Sequence, residues 1–294
     1  MESAIPEKWE KYAQDLKQKM TLNEHLESKE SQLQTSKKSQ TLISRKCPHG
    51  LCDGSGMILS VQMINGKSYD MATPCKCNEE LIQSNMLKFA MIPEAFKDLS
   101  VSSFETSIYD DNNAGIAIKA KNIAAQYVRK FDEMQSIGKG LFLYSKKRGS
   151  GKTRLIVSVG NALIKVHKQR TRFITTLDLL GKIKESYEVD SKYSEQKLMA
   201  EFCEIPVLIL DDIGTEKTSA WVTEVFFKIL DTRMTNLKVT LVTSNLSIDE
   251  LNHDERIKSR LRKMCIEVKM PEQDIRNQIG KTENEELINM LLNN

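Results

Sequence analysis

Between Leu141 and Val166 the sequence passes from four consecutive apolar residues, through a polar loop with two glycines, into a helical run. The loop reads Ser145-Lys146-Lys147-Arg148-Gly149-Ser150-Gly151-Lys152-Thr153. A strand, a glycine turn and a helix in that order gather backbone N–H groups at a helix N-terminus, where an anion is favoured. Gly149 and Gly151 let those groups, with that of Ser150, turn inward around phosphates. Lys152 then reaches the outer phosphates, and the Thr153 hydroxyl suits Mg²⁺. One position departs from the pattern G-x-x-x-x-G-K-[ST]: Lys146 stands where the first glycine belongs, leaving Lys146, Lys147 and Arg148 in a row.

Such a loop needs a parallel sheet behind it, and the rest of the chain supplies candidate strands. Val207-Leu208-Ile209-Leu210 is apolar on both faces and is followed by Asp211 and Asp212. A strand of that kind is covered on both sides, and carboxylates at its C-terminal end lie where α/β folds bind ligands. Asp211 is the candidate for Mg²⁺, and Asp212 for polarising an attacking water. Asp212 is one methylene shorter than Glu, which favours slow hydrolysis. A further strand, Val239–Thr243, leads to Ser244 and Asn245, whose amide suits a place near a γ-phosphate. Strands at Arg172–Thr175 and Cys265–Val268 and a helix over Ala114–Phe131 complete the pattern. Strands separated by helices predict an α/β domain with a parallel sheet covered by helices.

Length and charge bound the remainder. A chain of 294 residues exceeds one ordinary domain, and Lys+Arg 43 against Asp+Glu 40 excludes a polycationic nucleic-acid binder. The beginning, MESAIPEKWEKY, lacks the apolar stretch of a signal peptide, and no run approaches the ~18 apolar residues of a membrane span. Residues 1–40 carry sparse apolar points at Ile5, Trp9, Leu16, Met20, Leu22 and Leu26, a thin helical pattern ending in a polar linker. The expected division is a helical extension over 1–40, a metal-binding domain over 41–95 and an ATPase-like domain over 96–294.

Four of six cysteines fall between positions 47 and 77, within a glycine-containing stretch expected to be rich in loops. Cys47 and Cys52 are separated by four residues, Cys75 and Cys77 by one, and twenty-two lie between the pairs. Four thiolates suit tetrahedral Zn²⁺ in a reducing, cytoplasmic compartment, and His49 is an alternative ligand. Nothing suggests an open coordination position, so the expected zinc is structural. Cys203 and Cys265 have apolar neighbours and are expected in the core.

Together the loop, the Asp pair and the Asn-ending strand resemble the AAA+ P-loop ATPases, and among them the DnaC/DnaI type of replicative helicase loader. The stretch LILDDIGTEKTSAWVTEVFFKILDTRM…TLVTSNLS looks especially like the DnaI type, and the resemblance covers roughly 100–277. It implies ATP as cofactor, a Walker A loop over Lys146–Thr153, Walker B at Asp211 and Asp212, and sensor one at Asn245. It also implies an arginine finger at Arg260, reaching a neighbouring subunit's ATP, and sensor two at Arg276. Tyr187 falls where these loaders present an aromatic residue to single-stranded DNA. With Lys182 and Lys184 beside it, Tyr187 offers a base-stacking face and attraction for phosphate. DnaI-type loaders carry an N-terminal zinc domain whose implied task is contacting the helicase or DNA. The implied partners are a hexameric replicative helicase, single-stranded DNA and further copies of the chain in the ATP state, with no membrane. Two alternatives stand beside this reading. One is an IstB-like transposition ATPase acting on duplex DNA, the other a nucleotide-sensing adaptor or inhibitor with little turnover. The roughly eighteen residues after Arg276 have no assigned counterpart, and so short a tail leaves little for a helical lid.

Overall fold

The computed structural model describes residues 47–64, 67–186 and 195–292, which form two compact units divided between Ile82 and Gln83. The extension over 1–40 and Tyr187 lie outside the described residues.

In the first unit, β1 (Met57–Ile64) and β2 (Lys67–Pro74) pair antiparallel in register from Met57↔Pro74 to Ile64↔Lys67. The stretch expected to be loops is therefore mainly a hairpin. Leu59, Val61 and Met63 alternate with Ser60 and Gln62 at strand period, yet they are exposed, and β2 is exposed along its whole length. Helix α1 (Lys76–Phe89) begins in this unit and ends in the second.

The second unit is a five-stranded, all-parallel sheet of β3 (Gly140–Tyr144), β4 (Thr171–Thr175), β5 (Val207–Ile213), β6 (Val239–Ser244) and β7 (Cys265–Lys269). Its order is β4-β5-β6-β3-β7. The helices are α2 (Asp111–Arg129), α3 (Phe131–Ser136), α4 (Lys152–Lys165), α5 (Thr176–Glu185), α6 (Glu195–Glu204), α7 (Ala220–Thr235), α8 (Glu255–Met264) and α9 (Ile275–Leu292). Strand period explains the two layers of core. Leu141, Leu143, Val207, Ile209 and Leu241 pack with α2 and α4, whereas Phe142, Leu208, Leu210 and Val242 pack with α5, α6, α7 and α8.

Each expected strand is present, and β5 runs on through the Asp pair to Ile213. Helix α2 begins at Asp111, earlier than expected, because the Asp110 side chain accepts from Asn113 N–H as its N-cap. The second unit also begins before the expected 95/96 boundary, since Ala90 and Ile92 are buried in its core. Cys203 and Cys265 are buried as expected. Arg233 is fully buried, donating to Thr240 Oγ1 and to the carbonyls of Phe202, Ile205 and Val239. Burial pushes its pKa down to about 9, so it remains a cation at neutral pH, fixing the start of β6.

Candidate functional site

The loop between β3 and α4 has the backbone its glycines require. Gly149 and Gly151 have φ of 71° and 85°, in the left-handed region where a Cβ is costly. A Cβ on Gly149 would lie 2.1 Å from Asp274 Oδ1, so substitution there clashes as well as strains. Lys146 does not share this need: its φ is not positive, and its ammonium lies 2.6 Å from Glu250 Oε1. The irregular position of the motif thus points away from the loop, and Lys146 holds the Glu250 carboxyl at about 2.

Lys152 is buried, with its Nζ donating to the carbonyls of Lys147 at 2.9 Å and Ser145 at 3.3 Å, and to Ser150 Oγ at 3.4 Å. Burial pushes its pKa down, against the pull of Asp212 and Asp211. Thr153 Oγ1 donates to Asp211 Oδ1 at 2.9 Å, joining the loop to β5.

The register of β5 against β6 shifts between Leu210 and Ile213, where two residues of β5 face one of β6. This bulge turns the Asp pair toward the loop. Asp212 takes φ 64°, a conformation that Asp tolerates better than most residues and that concentrates at functional sites. Thr243 closes the bulge: it accepts from Asp212 N–H at 2.9 Å and donates to Asp211 Oδ1 at 2.6 Å. Burial raises the Asp211 pKa, while the hydroxyls of Thr243 and Thr153 oppose the rise. Asn245 donates to Asp212 Oδ1 at 3.0 Å.

These groups share a cavity of about 490 Å³, lined by Gly149–Thr153, Asp211, Asp212, Asn245 and Arg276 and by an apolar wall including Phe104, Ile108 and Ile279. The tail left without a counterpart is one helix, α9. The N–H groups of Ile275 and Arg276 both donate to Gly149 O, so α9 starts on the loop itself, and Arg276 and Ile279 face the cavity. A lining that combines cations, carboxylates and an apolar side suits a nucleoside polyphosphate with its metal.

Arg260 stands apart from this cavity. On α8 it donates to Asp231 Oδ1 at 2.9 and 2.6 Å and lies over the Phe227 ring at 4.1 Å. Lys182 and Lys184 sit in the last turn of α5 with buried Ile183 between them. Two apart on a helix, they point to different faces, so they do not form one patch.

In the first unit, Cys47, Cys52, Cys75 and Cys77 converge with sulfurs within 4.8 Å of one another. Zn–S bonds of about 2.3 Å in a tetrahedron separate sulfurs by about 3.8 Å. Cys47 Sγ and Cys75 Sγ lie 3.8 Å apart, and Cys52 Sγ and Cys77 Sγ 3.5 Å apart, so the donors fit that metal. His49 Nε2 instead bonds Glu80 Oε2 at 2.9 Å. Residues that the sequence patterns did not single out are Thr243, Arg148 on the cavity wall, and the buried pair His253 and Glu216.

Three comparisons with known proteins agree with this architecture. The family model "Bacterial DnaA ATPase domain" matches residues 101–268. The replicative helicase loader DnaI of Bacillus subtilis (strain 168) is 29% identical over 198 residues, 65% of this chain and 60% of that protein. The replicative helicase loader DnaC of Escherichia coli (strain K12) is 26% identical over 147 residues, 49% of this chain and 58% of that protein. The matches thus span less than two thirds of either relative's length. The crystal structure of DnaI has a TM-score of 0.52 at 27% identity, covering 61% of this chain and 95% of that one. The fold is that of the AAA+ helicase loaders, and with more than half its residues matched the chain belongs to the bacterial DnaA ATPase-domain family.

Proposed function

We propose that this protein is an ATP-hydrolysing loader that binds a replicative DNA helicase and delivers it to single-stranded DNA. The observation carrying this reading is the convergence of Lys152, Thr153, Asp211, Asp212 and Asn245 on one cavity, in a chain whose named relatives are helicase loaders.

The phosphates of ATP are received by the N–H groups of Gly149–Thr153 and by Lys152, and the base by the apolar wall. Thr153 and Asp211 are the residues to hold Mg²⁺, which when bound neutralises phosphate charge. Asp212 takes the proton of the attacking water while Asn245 fixes its carboxylate, and ADP and inorganic phosphate leave. Mg²⁺-dependent ATP affinity should weaken in acid above the ordinary carboxylate range, because Asp211's raised pKa makes it take up a proton there. It should also weaken in alkali below the ordinary lysine range, where Lys152 loses its charge. Titration with and without Mg²⁺ checks the assignment: the acid limb should vanish without the metal and the alkaline limb should stay.

Arg260 completes a neighbouring copy's site, exchanging Asp231 for the γ-phosphate, so ATP promotes self-association. Mixing Lys152→Ala with Arg260→Ala protein should restore turnover that neither has alone, since one intact composite site re-forms between them. No turnover in the mixture beyond that of its parts, or an Arg260→Ala protein that is fully active alone, would remove the shared site. The segment 41–95, carrying Zn²⁺, contacts the hexameric helicase, and Tyr187 contacts the strand, with Lys182 and Lys184 attracting phosphate from two faces of α5 rather than as one patch. The deciding experiment measures helicase transfer to single-stranded against double-stranded DNA, with and without ATP. A preference for duplex would favour the transposition type, and binding without turnover the adaptor.

A further inference from the structure

The side chains of His253 and Glu216 are 0% and 2% exposed, and His253 Nε2 lies 2.6 Å from Glu216 Oε1. Glu216 follows the Asp pair on the loop after β5, and its other oxygen accepts from Gly214 N–H at 2.9 Å. His253 directly precedes Asp254, the N-cap of the helix that carries Arg260. Between the two segments lie further links. Ser244 Oγ donates to Ile213 O at 2.7 Å, and Asn252 Nδ2 to Thr218 Oγ1 at 3.4 Å. Leu251 packs so near Gly214 that a Cβ there would lie 2.8 Å from it. Thr215 Oγ1 donates to Asp212 O at 2.9 Å, so this loop is tied to the residue that faces the water.

His253 is the partner of a buried carboxylate oxygen, so this position needs a donor and not only a ring. Its ring already packs edge-on against Phe226 with centroids 5.4 Å apart, an arrangement a phenylalanine could keep. Its Nδ1 is buried with no hydrogen-bond partner, so the polar hold of the ring is Nε2 on Glu216. This link runs through one Nε2–Oε1 pair, which a shift of either segment would break.

We infer that His253 is a positioning residue which, through Glu216, couples the loop after Asp212 to helix α8, so that nucleotide in a subunit's own site sets the placement of its Arg260. The inference rests on the ATPase reading above. What the coupling adds is a direction: the state of one site reaches the next subunit through a buried hydrogen bond rather than through the interface alone.

The test compares two variants of the full-length chain by hydrogen exchange with a non-hydrolysable ATP analogue and Mg²⁺. His253→Phe keeps the ring and loses the donor, whereas His253→Gln keeps a donor near Nε2 and loses the ring. In wild type the analogue should slow exchange at 149–153, 211–216 and 253–260. In His253→Phe the first two segments should stay protected and the third should not. Its turnover with assembled subunits should fall roughly tenfold at unchanged KM, and His253→Gln should recover most of it. Glu216→Gln, which retains an accepting oxygen, should resemble His253→Gln, and Glu216→Leu, which has none, supplies the loss arm if His253→Phe does not fold. Protection at 253–260 in His253→Phe, or equal losses in the Phe and Gln variants, would overturn the coupling. Absence of protection at 149–153 in wild type would instead defeat the nucleotide reading.

Discussion

Replacing Lys152 with alanine should abolish ATP binding while the chain stays folded. The ammonium lies on the loop's own carbonyls, at 2.9 Å from Lys147 O, and is buried beneath the site. A hydrogen bond from a charged donor contributes about 1.5–3 kcal/mol, and its upper end alone is roughly a hundredfold in affinity. The loss here should exceed that, because the triphosphate would then be held in a partly desolvated site without its nearest cation. Removing Lys152 also ends the desolvation of an ammonium whose pKa burial already lowers, so the empty protein should melt no lower than wild type. Calorimetric titration with Mg·ATP, paired with a melting curve, makes the check. Asp212→Asn is the control, since the proposed mechanism gives its carboxylate to the attacking water and not to the phosphates: it should bind ATP near normally and hydrolyse almost none. Unchanged ATP affinity in Lys152→Ala would remove the phosphate loop from the proposal.

What could be read from the sequence follows from how local each signal is. The five strands of the second unit were legible because a sheet covered on both faces writes itself as short apolar runs, such as Val207–Leu210. The phosphate loop was legible because its chemistry needs glycines and a lysine at fixed spacing. Lys146 looked like damage to that pattern, yet the backbone there needs no positive φ and its side chain is satisfied by Glu250. The bulge at Asp211 and Asp212 was not legible, because two acids after a strand read equally as its end. The bulge depends on Thr243, whose hydroxyl is an ordinary strand residue until it meets β5. His253 and Glu216 were hidden for the same reason: each lies in a polar stretch, and only the fold puts them together in the dark. The hairpin escaped because the glycines and cysteines around it read as loop, although Leu59, Val61 and Met63 alternate with Ser60 and Gln62.

The hairpin's lack of a buried face sets the second large effect, which is metal dependence of the first unit. Among its described residues, Cys75 is the one buried apolar side chain, while Leu59, Val61 and Met63 of the hairpin are exposed. A two-stranded ribbon without a packed face is marginal in water. Even a well-made core of this size contributes only about 3–5 kcal/mol, and here there is almost none. Structural Zn²⁺ contributes about 10–16 kcal/mol in small zinc fingers, so in the proposed reading binding the metal would be the folding of the unit. Geometry shows how. Cys47 and Cys52 precede β1 and Cys75 and Cys77 follow β2, so one ion would clamp the two strands at the hairpin's open end while Cys75 N–H donates to Gly56 O at 2.8 Å. Purified protein should therefore carry one Zn²⁺ per chain. Cys77→Ser, or a strong chelator, should release it and bring amide exchange across 57–74 to the rate of an open chain. The second unit has its own core on both faces of its sheet and should keep its protection and its melting transition. His49→Ala should leave the metal in place, because His49 is engaged by Glu80 rather than by the sulfur cluster. A metal-free chain whose hairpin amides remain protected would defeat the zinc reading; loss of metal in His49→Ala with retention in Cys77→Ser would move the fourth ligand to the histidine.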